Sequence, residues 1–204
     1  MPSGPLPVTG TAAGTYTLQL EAASVAARMG GQEPAAREDM PGAGRVSYGE
    51  ALVRELMPML RASYPISTRP ADTVIGGFSG GGLAAAEIAL LHPDVFGNVL
   101  SQSGAFRDAS GGDEPNATAR AFLEAPRKSI RFYIEVGRYD NVPAAGRPLY
   151  EMVLDETNLM GNRHLRDVLR AKGYDVTYRE VGGGHDFVHW RAMLADGLMT
   201  LLKR

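Results

Sequence analysis

The chain has no cysteine among its 204 residues, which excludes disulfide bonds, a thiol nucleophile and cysteine-based metal sites. Basic and acidic side chains number 21 and 23, and a net charge of −2 gives no basic surface suited to nucleic acid. No apolar run reaches the roughly 20 residues that a membrane-spanning helix needs. We therefore expect no nucleic acid, membrane, metal or cofactor to be involved.

The first 46 residues are rich in proline, glycine, alanine, serine and threonine, and only residues 15–20 alternate like a strand. They contain neither the basic segment nor the apolar core of a secretory signal, so a cytoplasmic location is expected. From Ser47 the pattern becomes regular, with a capping box at Ser47 and Glu50 and a helix disturbed at Pro58. The length predicts a single domain over residues 1–204, with a weakly organised segment at 1–46 and a core at 47–204.

The most informative motif is Gly77-Phe78-Ser79-Gly80-Gly81, which fits Gly-x-Ser-x-Gly. A strand-like run at 73–76 precedes it, and a helix-favouring run at 82–91 follows. This is the context of a nucleophile elbow, in which a strained backbone projects the serine hydroxyl. We predict that Ser79 is the nucleophile, that close packing requires glycine at 77, 80 and 81, and that the Gly80 N–H stabilises an oxyanion. The alternative is a glycine-rich connection with an incidental serine.

Four histidines are available as the base that a serine nucleophile needs. His92 is expected at a helix C-terminus, and His164 on the polar face of a helix. His185 follows a strand-like run at 176–181 and three glycines, so it can reach over the sheet edge. We predict that His185 is the base, with His189 as the alternative.

The acid is expected at another strand end, between Ser79 and His185. Residues 130–136 alternate and are β-rich, and Asp140 follows shortly after them. A carboxylate there would orient the imidazole and stabilise its protonated form. Glu151 and Asp155 remain alternatives, as does a simple turn-forming role for Asp140.

Strands and helices alternate from residue 73 to the C-terminus. Strands are predicted near 73–76, 98–102, 130–136 and 176–181, with helices near 82–91, 116–125, 158–171 and 188–203. Such alternation predicts an α/β fold with a mostly parallel sheet covered on both faces.

This part of the chain resembles the catalytic domain of the enterochelin (enterobactin) esterase family, in the esterase D group of α/β-hydrolases. The matching stretches are residues 77–83, 92–104, 126–137, 162–169 and 183–186, with Trp190 shortly after. The resemblance implies an α/β-hydrolase-like fold, abbreviated at the N-terminus, with a Ser79–His185–Asp140 triad. It also implies hydrolysis of carboxylic esters through an acyl-enzyme, with a siderophore lactone or a phenolic ester as substrate.

Two features depart from the family pattern. Phe106-Arg107-Asp108 stands where the family commonly has an aromatic cluster, which bears on the substrate. No His-Gly or Asp-Gly precedes Ser79, although such a loop supplies the second oxyanion donor in the family. We expect Phe78, Arg107 and Trp190 to bind the substrate. Alternatives to ester hydrolysis are a truncated, non-catalytic hydrolase-fold protein or binding module, and acyl transfer to another alcohol.

Overall fold

The structure is a computed structural model that describes residues 8–10, 16–18, 48–106, 116–140 and 158–203. The chain divides into two compact units, residues 1–66 and 67–204. The single-domain organisation predicted for residues 1–204 stays a prediction. In the part of the chain that is described, no helix has the length and apolarity to cross a bilayer.

The first unit contains a short antiparallel pair and a helical segment. Strand β1 (Val8–Gly10) pairs with β2 (Tyr16–Leu18). A π-helical turn at Leu52–Leu56 leads directly into helix α1 (Met57–Ser63). Pro58 has no N–H to donate to the preceding turn, and the widened π turn lies immediately N-terminal to it. The predicted disturbance of this helix at Pro58 therefore has a structural counterpart.

The second unit alternates strands and helices, as the sequence pattern predicts. Its elements are β3 (Val74–Phe78), α2 (Gly80–Leu91), β4 (Asn98–Gln102), α3 (Ala117–Glu124), β5 (Arg131–Gly137), α4 (Asn158–Ala171), β6 (Asp175–Val181) and α5 (Phe187–Leu202). The four strands form a parallel sheet in the order β3-β4-β5-β6. Strands β4 and β5 occupy the centre, and every residue of β4 is buried, as expected for a parallel sheet covered on both sides.

Close contacts at two glycines show that helices cover both faces of this sheet. A Cβ on Gly82 of α2 would lie 2.6 Å from Ser101 Oγ, and one on Gly197 of α5 would lie 2.7 Å from Leu100 Cδ1. Ser101 and Leu100 are neighbours in β4, so their side chains point to opposite faces. Helices α2 and α5 therefore lie on opposite sides of the sheet.

Parallel pairing brings the carboxyl ends of all four strands to one edge. In register, Phe78 lies beside Gln102, and Gln102 beside Glu135. Ser79 follows β3, Asp140 lies three residues after β5, and His185 lies four residues after β6. The edge where ligands bind in open α/β sheets is thus the edge that holds these candidate residues.

Candidate active site

Ser79 lies at the sharp turn between β3 and α2, and its backbone is strained. Its φ and ψ are 54° and −125°, a combination that non-glycine residues rarely adopt. The turn is held on both sides, because the Ser79 N–H donates to the Gln102 carbonyl at 2.9 Å and the Ser79 carbonyl accepts from Ala105 N–H at 3.0 Å. The hydroxyl does not cap the helix. This local geometry is the one that a nucleophile elbow requires.

The glycines of the elbow that are tightly packed are not all the ones predicted. A Cβ on Gly77 would lie 2.5 Å from the backbone carbon of Gly81, so close packing does require glycine at 77. A Cβ on Gly80 or Gly81 would meet no atom within 4 Å, so the expected crowding at these positions was wrong. The second crowded position is Gly82, against Ser101. The reason is that α2 approaches the sheet through the Gly82 side of its first turn.

Gly80 is the first residue of α2, where backbone N–H groups have no intrahelical acceptor. The Ser79 carbonyl accepts from the N–H groups of Gly82 and Leu83, at 3.0 Å and 3.2 Å. The positive end of the helix dipole lies at this turn. These features suit the predicted oxyanion role of Gly80, which stays a prediction.

Asp140 and His185 lie in direct contact. The Nδ1 atom of His185 is 3.1 Å from Oδ1 and 3.1 Å from Oδ2 of Asp140. Asp140 is completely buried, and the His185 side chain is 27% exposed. An imidazole that donates Nδ1–H to the carboxylate keeps Nε2 free as a proton acceptor. The alternative acids Glu151 and Asp155 lie outside the described residues.

An aromatic cluster links the Ser79 side of the site to the His185 side. The ring of Phe78 stacks on that of Trp190, with centroids 4.7 Å apart. His185 meets the same indole ring edge-on at 4.9 Å. Trp190 is buried and donates its Nε1–H to Ser103 Oγ at 3.0 Å. The structure thus brings together Phe78 and Trp190, two of the three predicted substrate-binding residues, whereas Arg107 lies outside the described residues.

Phe187 is an aromatic residue of the site that the sequence analysis missed. Its ring lies edge-on to Phe78 at 4.9 Å and to Trp190 at 5.1 Å, and the residue is 60% exposed. Phe106 is instead completely enclosed. The exposed rings of Phe78 and Phe187 therefore come from the end of β3 and the start of α5, whereas Phe106 adds no exposed ring. The position of Phe187 two residues after His185 was the available signal.

A second carboxylate–histidine pair lies beneath the site. Nε2 of His189 is 3.0 Å from Oε1 of Glu135, and the amide of Gln102 donates to Oε2 at 2.8 Å. All three side chains are buried. Burial raises the pKa of Glu135 to about 7, although the hydrogen bond from Gln102 opposes this change. His189, the alternative base, is therefore buried against Glu135, while His185 is partly open to solvent.

The described part of the chain contains no group of three or more histidine, aspartate or glutamate side chains that could hold a metal ion. His185 contacts a carboxylate just after the end of β5, and His189 contacts one inside that strand. Paired histidine and carboxylate side chains of this kind are suited to acid–base chemistry.

The profile of the family described as "Putative esterase" matches residues 16–201. The chain belongs to this esterase family. Iron(III) enterobactin esterase from Escherichia coli (strain K12) is 31% identical over 154 residues, which cover 74% of this chain and 35% of that protein. An acetyl esterase from Caldicellulosiruptor saccharolyticus is 24% identical over 175 residues, covering 76% of this chain and 64% of that protein.

A solved structure supports the same family relationship. The enterobactin esterase from Shigella flexneri, crystallised in the presence of 2,3-di-hydroxy-N-benzoyl-glycine, has 30% sequence identity and a TM-score of 0.62. The similarity covers 76% of this chain and 38% of that one. The resemblance to enterochelin esterases and the α/β-hydrolase-like fold are therefore confirmed. The chain spans about a third of the length of the enterobactin esterase from Escherichia coli (strain K12), at 35%.

Proposed function

We propose that this protein is a serine esterase in which Ser79 is the nucleophile, His185 the general base and Asp140 the acid that orients it. The observation that carries the proposal is the contact of His185 Nδ1 with both Asp140 oxygens, at 3.1 Å each, at the sheet edge where Ser79 occupies a strained elbow. Membership of an esterase family and the names of the relatives support the same class of reaction.

The proposed reaction has two halves. Ser79 Oγ attacks the ester carbonyl carbon while His185 Nε2 takes the hydroxyl proton, and the resulting oxyanion accepts a hydrogen bond from the Gly80 N–H. The tetrahedral intermediate collapses to an acyl-enzyme, and the proton on His185 leaves with the alcohol. Water then gives a proton to His185 and attacks the acyl carbon, and collapse returns Ser79 with its proton and releases the acid.

For the substrate we propose an ester that carries an aromatic ring, a phenolic ester or a catecholate siderophore lactone. The exposed rings of Phe78 and Phe187, 4.9 Å apart, form an apolar surface that an aromatic ring can cover. The named activity of the E. coli relative supports this class, as does the benzoyl compound present when the Shigella flexneri enzyme was crystallised. The acetyl esterase among the relatives supports a small acyl group instead, so assays with an aromatic ester and an acetyl ester distinguish the two substrate classes.

The test is intact mass spectrometry after treatment with an organophosphate, for the parent, Ser79→Ala and Ser67→Ala. We expect one adduct on the parent. Ser67→Ala is the control and should also carry one adduct, because Ser67 is an exposed serine outside the proposed triad and its hydroxyl donates to Asp72. Ser79→Ala should remain unmodified, and its ester hydrolysis should fall by about 10⁶-fold. An unmodified but folded parent would refute the mechanism and favour the non-catalytic alternative.

A further inference from the structure

Asn158 contacts both members of the Asp140–His185 pair. Its side chain is buried, with Nδ2 lying 3.4 Å from Asp140 Oδ1 and 3.2 Å from His185 Nδ1. An amide nitrogen donates two hydrogens and accepts none. Asn158 can therefore donate to the carboxylate at any time, but to Nδ1 only when that ring nitrogen carries no proton.

The carboxylate decides which of these two contacts is made. Nδ1 of His185 lies within 3.1 Å of both oxygens of Asp140. A hydrogen bond to an ionised carboxylate is about twice as strong as one between neutral groups, so Nδ1 keeps its proton and donates it to Asp140. The Asn158 amide then donates to Asp140 Oδ1. In this arrangement the buried carboxylate shares its charge between the imidazole and the amide.

Asn158 is itself held in place from the helix. Asn162, one turn later in α4, donates its Nδ2 to the Asn158 carbonyl at 2.8 Å and to the Gly104 carbonyl at 2.7 Å. Asparagine is a weak helix former, and two of them four residues apart on the buried side of α4 do not serve helix stability. Asn162 joins this helix to the loop after β4, and Asn158 joins it to Asp140 in the loop after β5.

We propose that Asn158 is a positioning residue that holds the Asp140 carboxylate beneath His185 and limits the basicity of the imidazole. The proposal rests on the proposed roles of Ser79, His185 and Asp140. Without the amide donor, the carboxylate loses one of the groups that stabilise its charge, so its attraction for the imidazole proton increases and the protonated form of His185 is favoured. The base then becomes protonated at a higher pH, and activity on the acidic side of the pH profile is lost.

The experiment compares the parent with Asn158→Ala, which removes the donor, and Asn158→Asp, which keeps the shape and replaces the donor by an acceptor. Met160→Ala is the control, because Met160 lies in the same turn of α4 and is 48% exposed. Two quantities are measured for each protein: the pH dependence of kcat/KM for a 4-nitrophenyl ester, and the titration midpoint of His185 by NMR. Circular dichroism establishes that each variant is folded.

Both Asn158 variants should move the acidic limb of the kcat/KM profile and the NMR titration midpoint of His185 to higher pH, by about half a pH unit or more. Met160→Ala should change neither quantity. If the aspartate variant does not fold, the alanine variant alone decides. An unchanged midpoint in the folded variants would overturn the proposal. If the parent hydrolyses no ester, the proposed function fails, while the NMR midpoints still decide whether Asn158 controls the pair.

Discussion

Replacing Glu135 by glutamine should make this protein more stable at alkaline pH relative to acidic pH. Glu135 is completely buried near the end of a central strand, and burial raises its pKa from the ordinary 4.5 to about 7. Glutamine has the same shape and its amide oxygen can still accept from Gln102, which donates to Glu135 Oε2 at 2.8 Å. Its amide nitrogen can face His189. The substitution therefore removes the charge with little change in packing.

The sign and the size follow from the pKa. A carboxyl group whose pKa is raised on folding binds its proton more tightly in the folded state, so its contribution to stability is complete below pH 4.5 and is lost as pH rises through about 7. Each pH unit between the two values is worth about 1.4 kcal/mol. Ionised Glu135 should therefore lower the free energy of unfolding by about 3 kcal/mol at alkaline pH relative to acidic pH.

Urea denaturation at about pH 4 and about pH 8.5 measures this difference. The other carboxyl groups are common to both proteins, so the difference between the parent and Glu135→Gln isolates Glu135 together with its contact to His189. Glu124→Gln is the control, because the Glu124 side chain is 64% exposed and pairs with Arg120 on the surface. It should leave the pH dependence unchanged. An identical pH dependence in the parent and Glu135→Gln would refute the argument that burial keeps this carboxyl group protonated.

Two further predictions concern the elbow and the aromatic surface. Gly77→Ala should lower the free energy of unfolding by about 1–3 kcal/mol, because its Cβ would lie 2.5 Å from a backbone carbon. Gly80→Ala places its Cβ where no atom lies within 4 Å, so it should be neutral or stabilising by up to about 1 kcal/mol. Urea denaturation measures both variants, and an equal loss of unfolding free energy in the two would contradict this contrast. Phe187→Ala should raise KM about 2- to 10-fold for an ester with an aromatic acyl group and leave an acetyl ester nearly unchanged. Steady-state assays of both esters check this, with Val188→Ala (81% exposed) as control, and equal effects on the two esters would exclude a selective role.

Much of the fold of the second unit could be predicted because its signals are local. Strand β4 lies at Asn98–Gln102, as predicted, because a short, largely apolar run between turns favours a strand. The prediction for β3 ended at Gly76, but the strand continues to Phe78. Glycine has a low strand propensity, so the sequence favours an early end, whereas pairing with β4 extends the ladder up to the elbow.

The candidate site was only partly predictable, because local sequence patterns mark only some of its residues. Ser79, Asp140 and His185 could be chosen because each follows a strand in a glycine-containing loop, and parallel strands end at one edge. Asn158 gave no such signal, because nothing in a helical segment shows which turn packs against a loop 18 residues earlier. Glu135 lies inside a strand, and nothing local in the sequence could reveal its partner His189.

The sequence by itself determined the elements and their chemistry: the elbow motif, the alternation of strands and helices, and the short set of residues able to act as nucleophile, base and acid. These depend on propensities and periodicities that operate within a few residues. Only the tertiary structure decided which histidine meets which carboxylate, how deeply each is buried, and which aromatic rings remain exposed. Those properties depend on strand order and helix packing, which bring together side chains as far apart in the chain as Phe78 and Trp190.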